Sequence, residues 1–227
     1  MCGRATVVDP DGLDQTVYGF TRKFVPGDIR PRYNIRPTEP IPVVRVARDG
    51  ERELLEMRWG LIPFWAKEPT MKGPTFNARA DTVAEKPMFR APFEKRRCLV
   101  VVDGFYEWPR KPSKDKRPRH IRFADRRSFA LAAVWDRWKD PVTGIRVESV
   151  AVITTEANDL LASVPHERMP VILDRDAQSA WLDTADTGSD EIKSLLTPHS
   201  SSGMELVITS QEFVNYGIDD ARCIEPV

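Results

Sequence analysis

The run Arg97-Cys98-Leu99-Val100-Val101-Val102, followed at once by Asp103-Gly104-Phe105-Tyr106-Glu107-Trp108, decides the fold of this chain. Five consecutive apolar residues, three of them valine, are typical of a strand that is buried on both faces. Cys98 is therefore interpreted as a core residue. Glu107 follows this strand among three aromatic residues, where a carboxyl group in apolar surroundings can shuttle protons. The alternative is a glutamate turned to solvent.

Further apolar or alternating runs predict strands at residues 41–47, 53–59, 98–102, 128–135, 147–154 and 205–209. Helical patterns are fewer and cover residues 13–20, 156–163, 176–183 and 190–196, with Thr154-Thr155 as the expected cap of the second. We find no repeat, linker or composition break that would mark a second domain. The sequence therefore predicts an α+β fold, a single domain over residues 1–227 with a curved, barrel-like, mostly antiparallel sheet and peripheral helices.

The charge of the chain is balanced overall but unevenly distributed. Residues 1–127 hold 27 Lys and Arg against 17 Asp and Glu, whereas residues 128–227 hold 7 against 17. This asymmetry indicates a basic face that could neutralise phosphates, and the alternative is a set of solvated surface charges. The most basic stretch, residues 111–127, is interpreted as a flexible loop or hairpin.

The composition limits the class of protein. No apolar run approaches the roughly 20 residues that span a bilayer, and the N-terminus does not resemble a secretory signal, so we expect a cytoplasmic protein without a membrane partner. The three cysteines and three histidines show no CxxC or HxxxH spacing, which argues against a zinc site or a disulfide framework. We expect no metal and no cofactor.

The N-terminal residues Met1-Cys2-Gly3-Arg4 carry a candidate nucleophile. If Met1 is removed, Cys2 presents an α-amine and a thiol on adjacent carbons. Such a pair suits aldehydes, because the amine forms a Schiff base and the thiol then closes a five-membered thiazolidine. The alternative is that Cys2 merely follows the start codon.

Two later segments carry further polar candidates. In Phe76-Asn77-Ala78-Arg79-Ala80-Asp81-Thr82, Asn77 could orient a nucleophile while Arg79 holds a phosphate, if the backbone is extended. The alternative is an Asx turn followed by an exposed salt bridge. His166 precedes a proline-bounded apolar run, where it is either a structural residue or an acid/base partner for a cysteine and a glutamate in one cleft.

Taken together, six blocks resemble in order and spacing the SOS-response-associated peptidase (SRAP) family, and the resemblance covers nearly the whole chain. It implies an α+β fold around a barrel-like sheet and an N-terminal cysteine that captures the aldehyde of an abasic site in single-stranded DNA as a thiazolidine crosslink. The six blocks are Met1-Cys2-Gly3-Arg4, Arg32-Tyr33-Asn34-Ile35-Arg36-Pro37, Arg58-Trp59-Gly60-Leu61-Ile62-Pro63, Asn77-Ala78-Arg79-Ala80-Asp81-Thr82, Gly104-Phe105-Tyr106-Glu107-Trp108 and Pro165-His166-Glu167-Arg168-Met169-Pro170.

The resemblance also implies the roles of individual residues. Cys2 would be the nucleophile and Asn77 would position it near the sugar. Glu107 and His166 would assist opening of the sugar ring and the proton transfers of Schiff-base formation. The residues that would hold phosphates are Arg4, Arg79 and Arg168. Gly3 and Asn34 would line the pocket, and Trp65 would stack on bases.

Two positions depart from the family pattern. Some members carry a second tryptophan after the one matched by Trp65, but here Ala66 follows. Some members have a basic residue before the Met-Phe pair, but here Pro87 precedes Met88-Phe89. Both departures concern the path of the DNA rather than the chemistry at Cys2.

The sequence therefore favours a DNA-damage protein, expected to be a monomer, that forms a covalent adduct with abasic single-stranded DNA in a lyase-like reaction. A cysteine peptidase or N-terminal-nucleophile hydrolase with autoprocessing activity would use the same Cys2, Glu107 and His166. Only Met1 precedes Cys2 here, which gives that activity no propeptide to remove. The other alternative is a non-catalytic single-strand binding module, which leaves the position of Cys2 unexplained.

Overall fold

The apolar run that begins at Arg97 forms a strand whose six residues are all buried. The structure is a computed structural model that describes residues 2–13, 15–24, 29–69, 73–110, 113–164, 166–185, 190–215 and 217–227, so Met1 and Pro165 of the quoted motifs lie outside it. The strands in chain order are β1 Ala5–Val7, β2 Arg22–Phe24, β3 Arg32–Ile35, β4 Pro40–Val46, β5 Arg52–Trp59, β6 Asn77–Arg79, β7 Arg97–Val102, β8 Gly104–Glu107, β9 Arg119–Phe123, β10 Phe129–Lys139, β11 Arg146–Glu156, β12 Arg168–Pro170, β13 Ile172–Leu173 and β14 Met204–Ile208.

Five of these strands close into a barrel. Strands β11, β10, β7, β4 and β5 are hydrogen-bonded in that order, each to the next in antiparallel orientation. The ring closes where β5 pairs in parallel with β11, with Trp59 opposite Val150. The predicted α+β fold with a barrel-like, mostly antiparallel sheet is confirmed.

A second sheet of five antiparallel strands, in the order β14-β9-β8-β1-β3, packs beside the barrel. One large cluster of buried apolar side chains joins the two sheets, and it contains Cys98, as predicted, together with Phe105 of β8. Residues of β7 pass directly into β8 through Asp103, so the buried strand of the barrel leads into the middle of the second sheet.

Short helices lie outside the sheets, and in the described ranges none is long and apolar enough to cross a membrane. The predicted helices at residues 13–20, 176–183 and 190–196 are present with shorter or shifted bounds. In chain order, the helices are α1 Gln15–Tyr18, α2 Pro87–Lys95, α3 Asp159–Ala162, α4 Arg175–Leu182, α5 Asp190–Ser194, α6 Gln211–Asn215 and a 3-10 helix Ala221–Ile224.

The predicted helix at 156–163 with a Thr154-Thr155 cap is wrong in its start. Both threonines belong to β11, and the helix begins only at Asp159. Asn158 is the actual cap, because its side chain accepts a hydrogen bond from the Leu161 backbone N–H at 3.1 Å.

The interpretation of residues 111–127 as a flexible loop or hairpin is wrong in one respect: β9 forms an antiparallel pair with β8, as in a hairpin, but all five of its residues are buried. Its arginines are neutralised in place: Arg119 contacts Asp115 at 2.7 Å and Arg122 contacts Glu205 at 2.7 Å.

Helix α2 is absent from the sequence prediction, which interprets x-Pro segments as turns. Pro87 stands in its first turn, where proline is tolerated.

Candidate functional site

Cys2 lies at the start of the strand pair that links β1 to β8. The backbone N–H of Tyr106 donates to the carbonyl of Arg4 at 3.0 Å, and Ala5 lies opposite Phe105 in the register. Cys2, just before β1, and Glu107, at the end of β8, therefore belong to neighbouring segments of one sheet. The sequence prediction that they share a cleft agrees with this topology.

The Cys2 side chain is 1% exposed, and its thiol donates a weak hydrogen bond to the carbonyl oxygen of Arg4, with an Sγ to O distance of 3.7 Å. Burial raises the pKa of the Cys2 thiol well above its ordinary value, and the negative charge of Glu107 raises it further. The thiol therefore stays protonated near neutral pH.

Asn77 holds the backbone of Cys2 from the barrel side. It is the first residue of β6, which runs parallel to β11 with Asn77 opposite Val152. Its Nδ2 donates to the Cys2 carbonyl at 2.7 Å. Its Oδ1 is buried and has no hydrogen-bond partner among the described residues, so it is a preformed acceptor next to Cys2.

Glu107 and His166 are in direct contact. The distance between His166 Nε2 and Glu107 Oε2 is 2.9 Å, and both side chains are almost fully buried. Glu107 is therefore not turned to solvent, and His166 is not an isolated histidine. The two residues are 59 positions apart in sequence.

The second hydrogen bond of His166 fixes its protonation pattern. Nδ1 lies 2.7 Å from the carbonyl oxygen of Arg168, and a carbonyl only accepts, so Nδ1 carries a proton. One further proton must then lie between Nε2 and Oε2, either on the imidazole or on the carboxyl group. In both cases the pair holds one proton that it can give up or take back.

Arg79 and Arg168 lie on either side of the end of β11 and line one cavity of about 310 Å³. Arg79 is exposed and pairs with Asp81, Nε to Oδ1 at 3.0 Å, which is the exposed salt bridge weighed from the sequence. Arg168 is half-buried, and its guanidinium donates to Thr154 Oγ1 at 3.2 Å. Burial lowers the pKa of Arg168, and so does the nearby charge of Arg79. Two guanidinium groups in one cavity favour an anion.

The other predicted contacts differ in their surroundings. Arg4 is partly buried and donates to the carbonyl of Gly3 at 2.9 Å. Trp65 is 50% exposed, whereas Ala66 is buried and its carbonyl accepts a hydrogen bond from the indole of Trp138 at 2.7 Å. Asn34 is buried, and its Nδ2 donates to the carbonyls of Val214 and Ile218 at 2.9 and 2.8 Å, so its amide nitrogen binds the C-terminal segment.

Sequence reasoning missed a second polar network, which fixes β1. Thr6 donates to Asp103 Oδ1 at 2.6 Å, and its hydroxyl oxygen lies 3.1 Å from His120 Nε2. Since the hydroxyl proton goes to Asp103, Nε2 is the donor in the contact with His120. Asp103 also accepts from the backbone N–H groups of Val8 and Asp9. The signal for this network was the Asp103-Gly104 pair after the apolar run.

Gly104 is required where this network crosses β8. A Cβ atom at this position would lie 2.2 Å from His120 Nε2 and 2.7 Å from Thr6 Oγ1. Only glycine at this position leaves room for the side chains of Thr6 and His120, from the strands on either side of β8, to meet over it.

No group of three or more His, Cys, Asp or Glu side chains in the described ranges is arranged to hold a metal ion. The chemical groups gathered around Cys2 are thus a thiol, a carboxyl–imidazole pair, an amide and, further out, guanidinium groups.

Comparisons with known proteins find a matching family and similar sequences. A model of the family "SOS response associated peptidase (SRAP)" matches residues 1–216. The chain is 38% identical over 208 residues to "Abasic site processing protein YoaM" of Bacillus subtilis, covering 90% of this chain and 89% of the relative. It is 33% identical over 232 residues to "Abasic site processing protein HMCES" of Gallus gallus, covering 88% of this chain and 68% of the relative.

A solved structure shares the fold over its whole length. The crystal structure of a protein from Bacteroides thetaiotaomicron superposes with a TM-score of 0.86 at 28% identity, covering 100% of both chains.

Proposed function

Because this chain belongs to the SOS response associated peptidase (SRAP) family, we propose that it bonds covalently to abasic sites in single-stranded DNA through Cys2. Its curated relatives carry the name abasic site processing protein, and its function is accordingly a DNA-damage response at abasic sites. The observation that carries the proposed chemistry is the buried Glu107–His166 pair next to Cys2.

The proposed reaction begins with removal of Met1, which turns the amide nitrogen of Cys2 into a free α-amine. The amine attacks C1 of the ring-opened sugar, and the resulting carbinolamine loses water to form an imine. The Cys2 sulfur then bonds to the imine carbon while the thiol proton passes to the nitrogen. The products are a thiazolidine and one water molecule, and no oxidant or reductant is consumed.

The order of these steps follows from the state of the thiol. Burial favours the protonated thiol of Cys2, which supports an order in which the amine attacks first and the thiol adds after the imine has formed. The buried Oδ1 of Asn77 offers the new amine an acceptor, while its Nδ2 holds the Cys2 carbonyl. Asn77 would thereby aim both reacting groups at one carbon.

The Glu107–His166 pair supplies proton transfer in this proposal. An abasic sugar exists mostly as a closed hemiacetal, so its opening requires one proton to leave the C1 hydroxyl and another to reach the ring oxygen. Loss of water from the carbinolamine requires a further proton. In each step one proton is delivered to an oxygen and one is released from the reacting groups, so a buried pair that gives one proton and takes one back has the same total charge before and after the step.

The DNA would approach along the guanidinium groups. Arg79 and Arg168 share one cavity, and a phosphate that entered it would compete with Asp81 for Arg79. Arg4 and Gly3 lie in the segment of Cys2, and the exposed face of Trp65 is free to stack on a base. The amide nitrogen of Asn34 is occupied by the C-terminal segment, which favours a supporting role for this residue.

The state of Cys2 does not favour the peptidase alternative. A cysteine peptidase requires a thiolate, which a neighbouring positive charge stabilises. Here burial and the carboxylate of Glu107 both raise the pKa of the Cys2 thiol. The amine-first route to a thiazolidine needs no thiolate.

Intact mass spectrometry tests the proposal. After incubation with an abasic oligonucleotide, wild-type protein should lack Met1 and gain the mass of the oligonucleotide minus one water. Cys2→Ser should form no adduct that survives heating, because its hydroxyl closes a ring onto an imine far less readily than a thiol does. Cys98→Ser and Cys223→Ser are matched controls and should react like wild type. A heat-stable Cys2→Ser adduct formed without reductant would overturn the thiazolidine mechanism.

A further inference from the structure

A second cavity, larger than the one beside Arg168, lies at the opposite end of β11. It has a volume of about 1000 Å³, and we call it the basic groove because seven basic and two acidic residues line it. Arg146, the first residue of β11, lines the basic groove, whereas Thr155 and Glu156, at the end of that strand, line the cavity with Arg79 and Arg168. Eleven strand residues span about 35 Å, so the two cavities are well separated.

The floor of the basic groove is preorganised. The indole of Trp135 contacts two guanidinium groups, with its ring centroid 4.3 Å from Cζ of Arg45 and 5.7 Å from that of Arg137. Glu148 bridges the same two arginines at 2.9 and 2.5 Å. These contacts hold a flat, charged surface in place.

Three further cations line the groove without such neutralisation. Arg48, Lys95 and Arg146 are exposed, and no ion pair is formed by them within the described ranges. They come from three separate parts of the chain, namely the loop after β4, the last turn of α2 and the start of β11. Unpaired cations around one groove create a positive potential that suits a polyanion.

Two consecutive exposed aromatic residues connect the basic groove with the proposed DNA path. Phe64 lines the groove with its side chain 61% exposed, and the next residue is Trp65, which is 50% exposed. The backbone N–H of Phe64 donates to Asp136 Oδ2 at 3.0 Å, which anchors this loop to the barrel. Exposed aromatic rings next to cations are the features that hold single-stranded nucleic acid by base stacking and phosphate contact.

We propose that the basic groove binds the single-stranded DNA flanking the lesion, with phosphates on Arg48, Lys95 and Arg146 and a base on Phe64. The inference rests on the proposed function, since it extends the strand that would be bound at Cys2. It gives the protein a second, lesion-independent contact that anchors the strand at a distance from the reacting sugar.

The test compares two undamaged oligonucleotides of about 3 and about 16 nucleotides, a range that covers one binding site. The variant combines Arg48→Gln, Lys95→Gln and Arg146→Gln, and the control combines Arg30→Gln, Arg90→Gln and Lys116→Gln, exposed cations that line neither cavity. For the long oligonucleotide, the groove variant should lose about 2 units of log–log salt slope, at roughly 0.7 per phosphate contact. Binding of the short oligonucleotide, and all binding by the control, should stay at the wild-type level.

Phe64→Ala provides an independent measurement. It should weaken binding of the long oligonucleotide at least about fivefold, as expected for one lost stacking contact, and leave the short one unaffected. If the groove variant and Phe64→Ala both bind the long strand as wild type does, the proposal is overturned. Groove-dependent binding of polyglutamate with unchanged DNA binding would assign the surface to an acidic protein instead and would equally overturn it.

A further experiment distinguishes failure of the proposal for the basic groove from failure of the proposed function. Crosslinking of a short abasic oligonucleotide reports only the chemistry at Cys2, and the groove variant should give the wild-type adduct mass and rate there. Absence of any wild-type adduct would refute the proposed function, whereas the salt slopes on undamaged strands would still decide the role of the groove.

Discussion

Two carboxyl–histidine units lie at the two ends of β8, and their differences distinguish a structural unit from the unit proposed to transfer protons. At the start of the strand, Asp103 reaches His120 only through the hydroxyl of Thr6. At its end, Glu107 touches His166 directly, next to Cys2. Both units are buried, so burial alone does not distinguish them.

The distinction lies in how the protons are held. Asp103 accepts three hydrogen bonds from Thr6, Val8 and Asp9, and burial with nearby arginines lowers the pKa of His120 to about 3, so this unit stays in one protonation state near neutral pH. The Glu107–His166 unit instead has a proton on the line between its two partners. The same residue types thus fix a strand in one place and can move a proton in the other.

The largest expected effect is on the rate of adduct formation, which should depend on Glu107 and His166 but not on His120. Glu107→Gln and His166→Ala should slow adduct formation roughly 10²-fold or more, because each removes a positioned proton donor or acceptor, while the final adduct mass stays that of wild type. The rate profile across about pH 5 to 9 should change shape in both variants, because each removes one member of the pair proposed to transfer protons. Time-resolved mass spectrometry measures these rates.

His120→Gln is the matched control for this comparison, because it replaces the histidine of the other unit with a side chain that can still donate to Thr6. Its rate should equal the wild-type rate wherever it is folded. Equal rates for all three variants and wild type would mean that Glu107 and His166 only support the structure.

A smaller effect concerns the stability of the structural unit. Thr6→Val keeps the shape of the side chain but leaves Asp103 Oδ1 and His120 Nε2 without the hydroxyl they share, and should lower the free energy of unfolding by about 1 to 3 kcal/mol. Thr209→Val is the matched control, since the buried Oγ1 of Thr209 has no hydrogen-bond partner in the described part of the chain. Urea denaturation measures both, and equal losses would contradict a specific role of the Thr6 hydroxyl.

The expected effect that is smallest at neutral pH is the dependence of stability on pH. The pKa of His120 falls from 6.5 to about 3 on folding, so its contribution to stability is complete above pH 6.5 and is lost as the pH falls towards about 3. In that window one proton binds preferentially to the unfolded chain, which costs about 1.4 kcal/mol per pH unit.

His120→Gln should remove this part of the acid sensitivity, seen as a flatter plot of unfolding free energy between about pH 6 and about pH 4. His199→Gln serves as the control, since the His199 ring contacts the exposed carboxylate of Asp174 at 3.2 Å, whereas His120 contacts the hydroxyl of Thr6. Parallel plots for wild type and His120→Gln would show that His120 takes up its proton equally in both states.

The barrel could be predicted from sequence because its strands are apolar runs. The predicted ranges 41–47, 53–59 and 98–102 match β4, β5 and β7 to within one residue at each end. The second sheet could not be predicted in the same way. Strand β1 has only three residues, and β9 carries Arg119 and Arg122, whose burial depends on acidic partners distant in sequence.

The candidate site was likewise predictable from sequence only in part. Residue types and order pointed to Cys2, Asn77, Glu107 and His166, and these remain proposals as catalytic groups. Their contacts depend on the pairing of β1 with β8 and of β6 and β12 with β11, which no local pattern encodes. The Thr6 network was missed for this reason, since its three members are brought together only by the register of β1, β8 and β9.

The pairing of β1 with β8 also determines when β1 can be covered during synthesis of the chain. Ala5 must wait for Phe105, about a hundred residues later, before this edge of β1 is covered. At about 5 to 20 residues per second, the N-terminus emerges from the ribosome several seconds before its partner strand does. If Met1 is removed as proposed, an aminopeptidase has this interval to reach it on the nascent chain, before β1 is covered by β8.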